Sequence, residues 1–390
     1  MIWLRLALAN LKLSWLTTFI NIVLMALGTA SIVLLLLAGT QLTNTLTRDA
    51  EGIDLVIGAS GSPTQLILAS VYHADIPPGN ISWEAAQHWL RDERVAVAAP
   101  LALGDSYRGS RVVGTNADYF VLMGASLAEG GYWDAPMEAV LGASAAIKTG
   151  LSVGDSFFGS HGITGGAHDH GNAAYRVVGV LEAQGSAVDR LIFTSMQSVW
   201  ELHEEAHEQE VTAVLLRYRS PLAALSMPRE VNASTGLQSA APAVEISRLL
   251  QLMGLGLDAL RAFAWVLIAT ACLSVFAALY GSLRSRRGDL AMLRCLGASR
   301  VELFSALILE GLLLSLCGVA LGFLLGHLAM ASIGSLLESS RGVSLSAWQW
   351  LPAETILLVG LFGVSVVSAS LPAWQAYRTN VAETLAGTAS

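Results

Sequence analysis

The sequence predicts a membrane α-helical protein: four transmembrane helices, with a large extracytoplasmic α+β domain inserted between helices 1 and 2. Three observations predict it. The 390-residue chain is 54% hydrophobic with a mean hydropathy of +0.56, and 13% of its residues are charged, against about 25% in soluble domains. Four apolar segments are long enough to cross a bilayer, which takes about 20 residues. The charge is also partitioned. Residues 41–258 hold 12 of the 22 Lys+Arg and 24 of the 30 Asp+Glu, a net of −12, and the other 10 basic and 6 acidic residues leave +4 elsewhere.

Residues 1–40 form a cytoplasmic start and helix 1. MIWLRLALANLK carries Arg5 and Lys12 ahead of an apolar run at about 13–39. ALGTAS at 26–31 resembles a secretory cleavage site. However, SIVLLLLAG extends the run beyond the length of a signal core, so a retained helix is expected. Helix 2 falls at about 262–283, helix 3 within 301–333 and helix 4 within 351–373. Arginine-rich loops stay on the cytoplasmic side. Residues 284–300 are therefore inside, both termini are inside, and 41–258 is outside. Arg378 follows helix 4 on the inner side.

Within 41–258, alternating or β-branched runs at 110–114, 175–181, 191–194 and 211–218 read as strands. Helices are expected at 83–92, 143–149 and 196–208. Glycine-rich turns at 58–61, 130–131 and 159–171 punctuate them. Residues 222–241 are weakly patterned and read as a looser subregion. An amphipathic pattern over 244–258 leads into helix 2, either as a lead that transmits motion or as a simple stalk. Cys272, Cys295 and Cys317 all lie in or beside the membrane segments, so no disulfide is expected in the outer domain. Its negative balance speaks against nucleic acid or anionic lipid as its partner.

The basic loop GSLRSRRGDLAMLRCLG at 281–297 has features of a docking helix beneath the membrane. Arg284, Arg286, Arg287 and Arg294 would orient it, Leu290, Met292, Leu293 and Leu296 would dock, and Gly297 would end it. A plain positive-inside anchor would need the arginines but not the apolar face. In helix 3, Gly318, Gly322 and Gly326 recur every four residues, a spacing that lets helices approach closely. The neighbour is either helix 1 of a second copy or a helix of the same chain. Glu310 lies roughly 14 Å into helix 3, and reads as a structural acid paired with a nearby arginine or as a functional group at depth. His327 reads as interfacial.

Seven of the eight histidines lie in the outer domain. HGITGGAHDHG contributes His161, His168 and His170, and ELHEEAHEQE sets His203 and His207 four apart beside carboxylates. Imidazole with carboxylate at such spacings suits Zn²⁺. A polar loop and a solvated acidic helix have the same composition. No other cofactor and no catalytic residue is expected in this chain. It has two lysines, Lys12 and Lys148, and neither lies in a glycine-rich phosphate-binding turn.

Several separate stretches resemble the FtsX/MacB-like family of ABC transporter permeases. LALANLKLSWLTTFINIVLMALG is similar to that family's entry into its first span. GIDLVIGASGSPTQLILASVYHADIPPGNI and VLGASAAIKTGLSVGDSF resemble parts of its periplasmic core domain. RRGDLAMLRCLGASRVELFSALILEGLLLSLCGVALG follows its second loop and third span. LPAWQAYRTNVAETL resembles its closing segment, with the usual basic residues thinned to Arg378.

The resemblance implies a four-span permease subunit of the bacterial inner membrane with a large periplasmic domain, acting as a homodimer. ATP would be bound and hydrolysed by a separate ABC ATPase subunit coupled through residues 284–300. Movement of the periplasmic domain would then export or extract a substrate, as in MacB- or Lol-type machines. FtsX-like mechanical signalling to a periplasmic partner enzyme is the alternative. A zinc-related transport or sensing role built on the histidine segments is another. Lipid is an expected partner and nucleic acid is not.

Overall fold

The computed structural model describes residues 2–161, 174–202, 209–285, 292, 294–341 and 346–378. Its helices are α1 (Ile2–Leu13), α2 (Trp15–Asp49), α3 (Pro63–Ser70), α4 (Trp83–Leu90), α5 (Asp118–Met123), α6 (Ala143–Thr149), α7 (Met196–Leu202), α8 (Ala223–Ala233), α9 (Pro242–Ser285), α10 (Arg300–Arg341) and α11 (Pro352–Arg378). The chain divides into two compact units. One is Met1–Gln41 with Met253–Ser390, the other Leu42–Leu252.

The first unit is helical. Four of its helices are long and apolar enough to cross a membrane, over Trp15–Asp49, Pro242–Gly281, Arg300–Leu337 and Pro352–Ser370. All four outrun the spans expected from hydropathy, the first two the furthest. No proline interrupts residues 15–49, so α2 continues ten residues past the apolar run. Residues 242–285 are one helix with Pro242 as its first residue, where a missing N–H costs nothing.

The start of α10 is set locally. Ser299 Oγ accepts from the Glu302 N–H at 3.2 Å, and Glu302 accepts from the Ser299 N–H at 2.8 Å. That reciprocal pair satisfies two backbone donors that a helix start leaves unpaired. Met25, Val33, Leu37, Ala264, Ile268, Ala271, Val319 and Phe323 form a shared core among α2, α9 and α10.

The second unit is built on a sheet. Its strands are β1 (Leu55–Ala59), β2 (Ile81–Ser82), β3 (Val95–Tyr107), β4 (Ser110–Thr115), β5 (Leu127–Gly130), β6 (Glu138–Leu141), β7 (Ser156–Phe157), β8 (Ser160–His161), β9 (Tyr175–Leu181), β10 (Ile192–Ser195), β11 (Glu210–Val211), β12 (Ala213–Tyr218) and β13 (Leu237–Ala240). The main sheet runs β13-β1-β12-β3-β4-β10-β6-β9-β5, with β7 on β9 and β8 on β3, and β2 pairs β11 separately. β4–β10 and β6–β9 are parallel. β3 turns into β4 through Arg108 and Gly109, both at positive φ (47° and 75°), as a two-residue hairpin requires.

The apolar run Ala213–Leu216 shows why the sheet holds. Ala213 and Leu215 enter one core with Val56, Ala99 and Leu101, while Val214 and Leu216 enter another with Leu55, Ile57 and Ala98. Both faces are covered, so β12 reads as continuously apolar rather than alternating.

The strands expected at 110–114, 175–181, 191–194 and 211–218 are present within a residue or so, the last divided at Thr212. Residues 222–241 are not loose. They form α8, with Pro228 inside it, and β13, which pairs β1 at the sheet edge. The Asn232 side chain fixes the two together by accepting from the Ser239 N–H at 2.7 Å. The weak pattern came from a short helix that buries only Ala223, Met227 and Val231.

Candidate functional site

The arginine-rich loop lies between α9 and α10. Arg284 falls in the last turn of α9, and Arg286, Arg287, Leu290 and Leu293 lie outside the described residues. The rest of the segment is a closed turn. The Leu296 N–H donates to the Met292 carbonyl at 3.0 Å and the Gly297 N–H to the Arg294 carbonyl at 3.1 Å. Gly297 takes φ +104°, a conformation that suits glycine at a helix end.

Met292 and Leu296 are 60% and 82% exposed. At a spacing of four residues they share a face of that turn.

The glycine row has a partner within this chain. A Cβ at Gly318 would lie 2.7 Å from Met25 Cβ, one at Gly322 2.6 Å from Thr29 Cβ, and one at Gly326 2.8 Å from Val33 Cγ1. Both series advance by four, so α2 and α10 run side by side in the same direction with backbones in close approach. Gly311 lies elsewhere, against Ala369 and Leu279.

Glu310 is buried and accepts from Asn10 Nδ2 of α1 at 3.4 Å. His327 is 7% exposed. Its Nδ1 is 2.6 Å from the Ala347 carbonyl oxygen, its Nε2 is 3.7 Å from Glu354 Oε1, and its ring stacks on Trp348. The Gln41 side chain exchanges two hydrogen bonds with the Ser346 backbone, at 2.6 and 2.9 Å. Sequence reasoning missed Gln41, Trp348 and Glu354, because nothing in their spacing ties them to His327.

In the sheet unit, the zinc candidates His168, His170, His203 and His207 lie outside the described residues. His161 is described by its backbone alone, pairing opposite Asp105 in β8 and β3. No group of three or more His, Cys, Asp or Glu among the described residues could hold a metal.

His73 takes φ +53°. Burial pushes its imidazole down to about 3, with Arg111 and Arg190 acting in the same direction, so it is neutral in ordinary conditions. The end of α2 is tied down by polar contacts. Tyr72 Oη donates to the Leu46 carbonyl at 2.9 Å, and Asp49 Oδ1 accepts from the Ala187 N–H at 3.0 Å. The start of α9 is tied likewise: Thr64 Oγ1 donates to the buried Glu245 at 2.5 Å.

Comparison with known proteins follows these two units. Residues 18–231 match the family model of a MacB-like periplasmic core domain, and residues 261–381 match that of an FtsX-like permease C-terminal domain. Among solved structures the chain resembles the periplasmic region of MacB from Actinobacillus actinomycetemcomitans, at 12% identity and a TM-score of 0.37, covering 52% of this chain and 95% of that one. It also resembles the extracellular domain of the noncanonic ABC-type transporter YknZ from Gram-positive bacteria, at 12% identity and 0.32, covering 48% and 98%. A domain of a permease protein from Porphyromonas gingivalis matches at 14% identity and 0.30, covering 49% and 89%. No curated protein sequence matches the chain.

Proposed function

The chain belongs to the family of MacB- and FtsX-like ABC transporter permeases, and from that membership we propose that it is the membrane subunit of an ATP-driven machine powered from a separate ATPase chain. In this reading α2, α9, α10 and α11 cross the inner membrane and Leu42–Leu252 lies on its outer face. The aromatic side chains support a spanning placement of the helices. Trp15 at the start of α2 and Trp374 near the end of α11 are exposed, as are Trp348 and Trp350 between α10 and α11. These positions fall at opposite ends of the helices, where interfacial tryptophans gather. From Trp15 to Gln41 α2 rises about 39 Å, enough for a hydrocarbon core of about 30 Å.

The observation that carries the coupling is the turn bearing exposed Met292 and Leu296 within an arginine-rich loop. An ATPase groove would receive that apolar face, and the arginines would fix its direction. Motion would then pass along α2 and α9, whose ends are tied into the sheet unit at Asp49 and Glu245. The work delivered outside is export or extraction of a substrate.

Purification of the full chain from its own cells should bring down a P-loop ATPase. Replacing Met292 and Leu296 with Asp should weaken that association at least tenfold, since truncating a central apolar anchor typically costs about 2 kcal/mol. Undiminished capture by the doubly substituted chain would overturn the coupling role.

A further inference from the structure

An imidazole and a carboxylate face each other where the segment joining α10 to α11 meets the helix bundle. His327 Nδ1 lies 2.6 Å from the Ala347 carbonyl oxygen. A carbonyl oxygen only accepts, so Nδ1 carries a hydrogen. In the neutral ring Nε2 is then a bare lone pair, and it faces Glu354 Oε1 at 3.7 Å. Glu354 is fully buried, and Oε1 has no hydrogen-bond partner.

Two acceptors facing each other beside a buried negative charge repel. One added proton removes the conflict, as imidazolium against carboxylate or as imidazole against carboxylic acid. We propose that His327 and Glu354 are a proton-binding pair that clasps residues 346–351 to the helix bundle, closed when the shared proton is bound and released when it leaves.

A purely structural role accounts for only half of Glu354. Its Oε2 accepts from the Leu351 N–H at 3.3 Å, while its own N–H donates to the Leu351 carbonyl at 2.9 Å, which caps the start of α11. That leaves unexplained why Oε1 points at a ring nitrogen. The rest of the clasp converges on the same segment. Gln41 of α2 holds Ser346, Trp348 stacks on His327 with the planes 1° apart, and Trp350 stacks on Phe323.

No other described charge replaces the proton. α2 presents the uncharged Gln41, and in α9 Arg261, beside Gly39, is paired with Asp258 at 2.9 Å. The occupant is a proton rather than a metal ion, because the described residues offer two ligands here and a structural metal site takes four. A proton held more tightly in the clasped state than in the released one stabilises the clasp at low pH. That stabilisation is lost as pH rises.

The test uses the full chain in lipid nanodiscs between pH 5 and 9, with the emission of Trp348 isolated by subtracting the Trp348→Phe chain. Wild type should show one transition as the stacked ring changes charge. Glu354→Gln keeps an oxygen for the Leu351 N–H, so α11 stays capped, yet the transition should move at least one pH unit lower. His327→Gln should abolish it. A flat wild-type signal, or a transition that Glu354→Gln leaves in place, overturns the proposal. So does a Trp348 response to micromolar Zn²⁺ at fixed pH that His327→Gln removes, since a metal would then be the occupant.

Discussion

Arg94 holds together parts of the sheet unit that are far apart in the chain. Its guanidinium binds Asp92 and Glu230 at 2.7 Å each, and donates to Ser226 at 2.8 Å. It thereby ties the segment after α4 to α8. The Asp92 carboxyl sits below the usual carboxylate range, chiefly through its hydrogen bond from Arg94. A carboxyl with a lowered folded-state pKa contributes stability above its unfolded value, near 4, and loses it as pH falls through the folded one. Both partners of Arg94 are partly solvated, so the contribution is modest. Arg94→Met should therefore lower the stability of the full chain by about 1 kcal/mol at pH 7. The deficit should be smaller at pH 3, below the unfolded carboxyl value, than at pH 7. Thermal unfolding at the two pH values decides it, and an equal deficit at both would sink the electrostatic account. RDERVAV shows the charges but not the clamp, because Glu230 is 136 residues away.

Among the elements, α10 was legible in its spacing and illegible in its partner. A four-residue glycine period says that something approaches closely, and Met25, Thr29 and Val33 of α2 are that neighbour. A leucine at Gly322 would meet the Ala26 carbonyl oxygen and Thr29 Cβ, 2.7 and 2.6 Å from the Cβ position. Backbone atoms of a packed helix cannot step aside cheaply, and overpacking typically costs about 1–3 kcal/mol. Gly360 and Gly363 of α11 meet nothing within 4 Å. Gly322→Leu should lower the unfolding temperature of the detergent-solubilised chain by several degrees, while Gly363→Leu leaves it nearly unchanged. Equal effects would mean that α2 and α10 do not pack through the row. The strands separate in the same way. β9 alternates and was readable with exact bounds, whereas β1 and the middle of β3 (98–102), buried on both faces, gave no period-two signal. The links between His327, Glu354 and Gln41 were out of reach for sequence, because they join residues up to 305 apart.

For the molecule as a whole, the class and the two-part organisation were legible because charge and hydropathy are additive properties that need no contacts. The −12 and +4 partition accompanies the proposed sidedness, and the native cysteines make that proposal testable without foreign tags. Cys272 is buried, Cys295 is exposed on the arginine-rich loop, and Cys317 is exposed on the apolar surface of α10. In a Cys272→Ser, Cys317→Ser chain, a membrane-impermeant maleimide added to intact spheroplasts should leave Cys295 unmodified, and permeabilisation should expose it. Ser152 is exposed in the sheet unit. With Cys295 also replaced by Ser, Ser152→Cys should react at once in intact spheroplasts. Labelling of Cys295 from outside, or protection of the cysteine at 152 until permeabilisation, would invert the orientation and remove the arginine loop from the reach of any cytoplasmic ATPase. The positive-inside bias makes the first pattern the expected one, since each arginine carried to the outer face opposes the rule that orients such helices.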